Sequence, residues 1–261
     1  MYKRLLLPVQ VPSEVEPLIR FAANLVDADG EIRLLHVIPT TTMPEVARAW
    51  RASVNIVVPA HEAGAALDVR VEPEVKAATD VPGEILESAE TAGVEAIAMT
   101  LRGDRRSRNP FVGHTISGVL HHAPCDVLIL NRLALAGERV PRILVPSFHR
   151  SPPPRAMQLA QQLSARHGGV PVRSLEIDGR TAAVEPGSVP VVRRGRSRLS
   201  GALLGRQRRL AETILSAAQR ERFGLLIVGG EEEDVEGPFL TRRFLEELFR
   251  SAPCPVVALR V

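Results

Sequence analysis

The 261-residue chain is too long for one small domain and suits two domains of about 130 residues each. Hydrophobic residues make up 45% and charged residues 24%, the balance of a soluble globular protein, which excludes a globally disordered chain. Aromatic residues make up only 3%, which argues against a surface that binds single-stranded nucleic acid by stacking its bases. No apolar run has the roughly 18–20 residues of a membrane span, and the apolar stretch after Lys3 and Arg4 is too short for a signal peptide. We therefore expect a cytoplasmic protein.

The net charge of +3 is distributed unevenly along the chain. Residues 1–137 contain 13 basic and 17 acidic side chains, whereas residues 138–261 contain 20 basic and 13 acidic ones. Only two of the basic residues are lysines, Lys3 and Lys76, and neither lies in a glycine-rich loop. A Walker-type P-loop, which needs such a lysine, is therefore excluded. The excess of arginine indicates either a compositional bias of the genome, which we favour, or an anion-binding surface.

The first half of the chain alternates short aliphatic runs with helical patterns. Strand runs that are continuously apolar are typical of sheets buried on both faces, and alternation with helices predicts parallel strands joined by right-handed crossovers. The segment around Met43, Trp50 and Val54 has no clear pattern and is assigned no element. In chain order the predicted elements are strand Arg4–Val9, helix Glu14–Val26, strand Ile32–Val37, strand Val69–Val75, helix Pro82–Thr91, strand Ala96–Thr100, helix Thr115–His122 and strand Val127–Leu130.

The second half repeats the first. Leu5–Val9 recurs as Ile143–Ser147, 138 positions later, and Ala123–Ile129 recurs as Ala252–Ala258, 129 positions later. The run 96–100 recurs at the same 129 offset as 225–229, so the second copy has lost nine residues between its first and fourth strands. We predict two tandem doubly wound α/β domains with five parallel strands each, at 1–134 and 140–261, joined by a linker at Leu133–Arg139.

Several phrases of the sequence resemble the universal stress protein family in its tandem, two-domain form. These are the strand ending in Pro8-Val9, the run Leu35–Ile38, the helix start Pro82-Gly83-x-Ile85 and the closing run 121–129, with Ala-Pro-Cys before the last strand. The resemblance implies Rossmann-like, adenine nucleotide α-hydrolase-like domains and a cytoplasmic stress-response regulator without catalytic activity. It also implies a pseudo-dimer of the two domains within the chain, and leaves open a homodimer of chains.

Family members that bind ATP carry Gly-x2-Gly-x9-Gly-(Ser/Thr) after the fourth strand and an Asp at the end of the first. The glycines let the backbone approach phosphates, and the helix that follows favours anions at its N-terminus. In the first domain Gly103 and Gly113 keep the required spacing, but Thr100 replaces the first glycine and His114, followed by Thr115, takes the hydroxyl position. Gln10 replaces the Asp. The predicted nucleotide-binding residues are Pro8, Val9, Gln10, Val37, Thr100, Gly103, Gly113, His114 and Thr115.

The second domain has lost this pattern. At the repeat offsets Gly103 and Gly113 correspond to Glu232 and Arg242, and Gln10 corresponds to Phe148. The acidic run 231–234 would repel a polyphosphate. We interpret this run as a solvated loop rather than a metal site. ATP or another adenine nucleotide is therefore expected in the first domain only.

Two function classes remain open from the sequence. One is a regulator that binds an adenine nucleotide in its first domain, and the other is a nucleotide-free interaction module that docks on a partner protein such as a transporter or an enzyme. Hydrolysis of a bound nucleotide has no evident catalytic base. The seven arginines between Arg193 and Arg209 are interpreted as a solvated loop running into a helix, or as a surface for an acidic protein partner. No specific nucleic acid partner is expected, because the acidic first domain would repel it.

Overall fold

The computed structural model describes residues 1–40, 42–101, 114–131, 142–147, 152–177, 200–230 and 242–260. These residues divide between two compact units that follow the sequence repeat. The predicted linker Leu133–Arg139 lies outside the described residues, so the domain limits at 134 and 140 stay predictions. No helix in the described part of the chain is long and apolar enough to cross a membrane.

The first unit is a five-stranded parallel sheet with helices in its connections. The strand order is β3-β2-β1-β4-β5, which confirms the doubly wound α/β fold. Its elements are β1 (Tyr2–Val9), α1 (Val15–Ala23), β2 (Val26–Pro39), α2 (Met43–Ala52), α3 (Val54–Leu67), β3 (Arg70–Ala78), α4 (Val81–Ala92), β4 (Ala96–Thr100), α5 (His114–His122) and β5 (Asp126–Leu130).

The core of this unit is aliphatic, as the composition predicts. β5 is buried along its whole length and β4 in all but its last residue, Thr100, as expected for strands of a parallel sheet that is covered on both faces. α1 covers the sheet with the face that its sequence spacing predicts, which includes the fully buried Leu18 and Ile19. One polar contact is buried at the amino-terminal ends of β1 and β5, where the Tyr2 hydroxyl donates to Asp126 Oδ2 over 2.8 Å.

The structure corrects the predicted elements in two places. The helix predicted over 14–26 begins at Val15 and ends at Ala23, because β2 starts at Val26 and runs for 14 residues. The segment 43–67, which had no predicted element, forms the two helices α2 and α3. α2 buries none of its side chains, and α3 contains Pro59, a residue that is unusual inside a helix, although it buries one face with Ile56, Ala60, Ala63 and Gly64.

The second unit repeats the architecture with four strands among its described residues. Their order is β7-β6-β8-β9, and all pairs are parallel. Residues 178–199, between its second strand and the next helix, lie outside the described part. The elements are β6 (Ile143–Ser147), α6 (Pro154–Arg166), β7 (Val172–Glu176), α7 (Ser200–Arg220), β8 (Leu225–Gly230), α8 (Arg242–Ser251) and β9 (Val256–Arg260).

Candidate functional site at the carboxyl edge of the first sheet

The order of the strands in the first unit reverses its direction between β1 and β4. From β1 the chain goes to β2 and β3 on one side, and then returns to β4 and β5 on the other. β1 and β4 pair only at Leu5 with Ala96 and Leu6 with Ile97, in the middle of β1 and at the start of β4. Their carboxyl ends are therefore not paired with each other, which is the position of the crevice in an open α/β sheet. In open α/β sheets this position is where ligands bind.

The predicted residues at the ends of β1 and β2 line the same edge of the sheet. Pro8 is half-buried, Val9 is buried, and Gln10 is exposed directly after the strand. On β2, Val37 is buried, and its neighbour His36 donates a hydrogen bond from Nδ1 to the Val9 carbonyl oxygen over 3.0 Å. This bond holds the ends of the two strands together.

At the end of β4 the crevice contains an acidic residue that sequence reasoning missed. The Thr100 hydroxyl donates to Glu14 Oε1 over 3.1 Å, and Glu14 lies in the turn between β1 and α1. Both side chains are half-buried. Because an acidic residue near a helix start is common and favourable in any helix, no sequence signal marked Glu14 as part of the site.

The N-terminus of α5 supplies the remaining described residues of the predicted site. His114 is the first residue of the helix and is exposed, and Thr115 follows it and is half-buried. The helix packs tightly on α4, since a Cβ at Gly118 would lie 2.9 Å from the Pro82 Cβ. The first N–H groups of a helix lack partners within it and favour an anion. Gly103 and Gly113 lie outside the described residues.

At the equivalent edge of the second unit, β6 and β8 also pair only at their first two residues, and the start of α6 packs against the end of β8. Gly229 on β8 corresponds to Thr100, and a Cβ built on it would lie 2.7 Å from the Ala156 Cβ and 3.0 Å from the Pro153 Cβ. The start of α6 therefore lies directly against the end of β8 and leaves no room for a side chain there. Ser147, which corresponds to Val9, is fully buried.

Neither unit shows a metal centre within the residues that the structure describes, because no three His, Cys, Asp or Glu side chains there are grouped as metal ligands. The acidic run 231–234 is outside this part of the chain, so its interpretation as a solvated loop stays a prediction.

Comparison with known proteins decides the family. The sequence model of the universal stress protein family matches residues 1–131, half of the chain. The chain belongs to the universal stress protein family. A search of curated proteins finds no significant match.

Two solved structures of this family resemble the whole chain in fold. A universal stress protein from Archaeoglobus fulgidus is 16% identical, with 98% of this chain and 95% of that chain covered and a TM-score of 0.62. A putative universal stress protein from Pseudomonas aeruginosa is 13% identical, with 99% and 93% covered and a TM-score of 0.56. A universal stress protein from Archaeoglobus fulgidus in complex with dAMP matches 49% of this chain and 97% of its own at 18% identity, with a TM-score of 0.38.

Proposed function

We propose that this universal stress protein is a non-catalytic cytoplasmic regulator that binds ATP or another adenine nucleotide in its first unit and none in its second. The observation that carries the proposal is the contrast between the two sheet edges. In the first unit the predicted residues lie at the carboxyl ends of β1, β2 and β4 and at the start of α5, and the end of β4 has room for the Thr100 side chain. In the second unit the start of α6 fills the equivalent position against Gly229.

The charges of the first crevice support one orientation of the nucleotide. Glu14 brings a carboxylate to the end of β4, where it accepts a hydrogen bond from Thr100. Phosphates placed beside it would be repelled, by about 4 kcal/mol for a pair of like charges about 4 Å apart near a protein surface. The start of α5 has the opposite preference. We therefore place the phosphates at His114 and Thr115 and the nucleoside over the ends of β1 and β2, beside the half-buried Pro8 and the exposed Gln10.

The role proposed here is binding rather than turnover. A bound nucleotide would change the surface that the first unit presents to a partner protein. The expected product of incubation with ATP is unchanged ATP, recovered from the protein by denaturation and identified by mass spectrometry.

Two variants at equivalent positions of the repeat test the proposal. Gly113→Leu places a bulky side chain where the family motif needs close backbone approach, and Arg242→Leu places the same side chain at the matching position of the second unit. We expect purified wild type and R242L to release adenine nucleotide on denaturation and G113L to release none. Equal release from G113L and wild type, or loss in R242L alone, would contradict the assignment to the first unit.

A further inference from the structure

The strongly exposed large hydrophobic side chains of the described residues all lie in one short segment. They are Met43, Trp50, Val54 and Val58, with exposed fractions of 79%, 51%, 54% and 46%. Met43 and Trp50 belong to α2, and the two valines belong to α3. Ser53, between the helices, keeps helical backbone angles. The helical hydrogen bonds are interrupted there, since the Ser53 N–H closes α2 on Ala49 and α3 starts with the bond from the Val57 N–H to the Ser53 carbonyl oxygen. The spacing of seven residues in α2 and of four residues in α3 places each pair of side chains on one side of its own helix.

This group of side chains, the α2–α3 surface, has the composition of a binding interface. Met, Trp and Arg are enriched at interfaces, and exposed apolar patches on soluble proteins mark interaction sites. Trp50 is the only tryptophan in a chain with 3% aromatic residues, yet it is half exposed. α2 buries none of its residues, so packing within the unit does not explain the apolar character of this helix.

Two arginines without partners border the α2–α3 surface. Arg48 and Arg51 are exposed on α2 and make no ion pair or side-chain hydrogen bond in the described part of the chain. By contrast, Arg20, Arg33 and Arg70 each pair with a glutamate of the first unit. Unpaired cations beside exposed apolar side chains fit a partner that has carboxylates beside its own apolar side chains.

From these features we infer that the α2–α3 surface docks an amphipathic helix of another protein whose apolar stripe is flanked by acidic residues. A second copy of this chain fits poorly, because a twofold axis through Trp50 would bring the arginine pairs of the two copies together. An anionic lipid surface also fits poorly. Arg48 and Arg51 are balanced over 43–67 by Glu45 and Glu62, whereas helices that lie on membranes are rich in basic residues.

The test uses a designed 18-residue amphipathic peptide with a leucine stripe flanked by glutamates, and the same peptide with lysines in place of the glutamates. The emission of Trp50 reports burial directly because no other tryptophan is present. We expect the glutamate peptide to shift this emission to shorter wavelength, with an affinity that falls as salt is raised. The lysine peptide is expected to cause no shift.

Variants assign the binding to this surface. By calorimetry, the affinity for the glutamate peptide should fall about 30-fold in Trp50→Ala, the effect of losing an interface hot spot. In the double variant R48Q/R51Q this affinity should fall about fivefold, as expected for the loss of two exposed charge pairs. Arg20→Gln, at an exposed arginine of α1, is the matched control and should bind like wild type. Circular dichroism checks that each variant is folded.

Several results would overturn the inference. Equal binding of the glutamate and lysine peptides would remove the charge argument, and unchanged affinity in W50A would place the peptide elsewhere. A dimer in sedimentation that dissociates in W50A would assign the surface to a second copy of the chain. A shift of Trp50 emission with phosphatidylserine vesicles, and none with the glutamate peptide, would assign it to a membrane.

Discussion

The hydrogen bond between Thr100 and Glu14 joins residues 86 positions apart in the sequence. It holds the Glu14 carboxylate, and so a negative charge, at the candidate site. The family pattern places a glycine at the position of Thr100 and an aspartate at that of Gln10. In this chain the first position has a hydroxyl, the second has an uncharged amide, and the carboxylate comes from the turn four residues later. Thr100 and Gln10 were predicted because strand ends can be located from apolar runs. Glu14 was not, because its contact depends on how a turn folds over a strand that is distant in sequence.

At the residue scale, Glu14→Gln should strengthen ATP binding while leaving adenosine binding unchanged. Glutamine keeps an acceptor for Thr100 but removes the negative charge. Two unit charges about 8–10 Å apart near a protein surface interact by about 1–2 kcal/mol, so the affinity for ATP should rise about tenfold. Titration of both ligands measures this difference. Glu16→Gln, at an exposed residue of α1, is the control; an equal gain for adenosine and ATP would refute the electrostatic role of Glu14.

The two cysteines give a second prediction at this scale. Burial raises the pKa of the Cys125 and Cys254 thiols to about 11, with the nearby Asp126 carboxylate adding to the effect at Cys125. A thiol with that pKa has about 100-fold less thiolate at pH 8 than one at its ordinary value. We expect iodoacetamide to modify both residues slowly in the folded protein and rapidly in urea, as measured by mass spectrometry. Rapid modification of either cysteine in the native state would contradict this.

The same pKa shifts predict how stability depends on pH. Because the thiols lose protons more easily in the unfolded chain, near pH 9, their contribution to the free energy of unfolding is complete below pH 9 and is lost between pH 9 and about 11. Urea denaturation of wild type should therefore lose more stability over that range than the double variant C125A/C254A. An identical pH dependence of the two proteins would show that the thiols are not responsible.

At the scale of elements, what could be predicted depended on which side chains the element buries. β4 was predicted over Ala96–Thr100, and the structure has the same bounds, because a continuous apolar run has one interpretation in an alternating α/β pattern. α2 and α3 were missed because Met43, Trp50, Val54 and Val58 are exposed and Pro59 lies inside α3, although α3 buries Ile56. The feature that hid these helices from sequence reasoning is the one that marks the α2–α3 surface as a docking site.

The contact between α3 and β3 gives a prediction for an element. A Cβ at Gly64 would lie 2.7 Å from Val71 Cγ2 and 2.9 Å from the Val69 carbonyl oxygen, which is backbone and cannot move freely. Gly64→Ala gains about 1 kcal/mol in helix propensity but costs about 1–3 kcal/mol in overpacking. We expect a net loss of stability of about 1 kcal/mol in chemical denaturation. Ala66→Gly, at an exposed position of the same helix, measures the propensity term alone; a G64A protein more stable than wild type would mean that α3 moves away freely.

At the scale of the whole molecule, the repeat in the sequence produces two units of the same architecture. The residues at the carboxyl edges of their two sheets differ. The repeat itself could be predicted, since the echoing strands β1 and β6, and β4 and β8, keep their apolar runs. That α6 packs against the end of β8 could be predicted only in part. The loss of the second and third motif glycines and the acidic run pointed away from a nucleotide. Gly229 keeps the first motif glycine, and its packing depends on the side-chain sizes at Pro153 and Ala156, which no motif includes.

The central claim is that one adenine nucleotide binds per chain, in the first unit. Calorimetric titration of nucleotide-free protein with ATP tests it most directly. The account predicts one site per chain in wild type and in R242L, and no binding in G113L. Two sites per chain, or binding that survives in G113L and is lost in R242L, would contradict it.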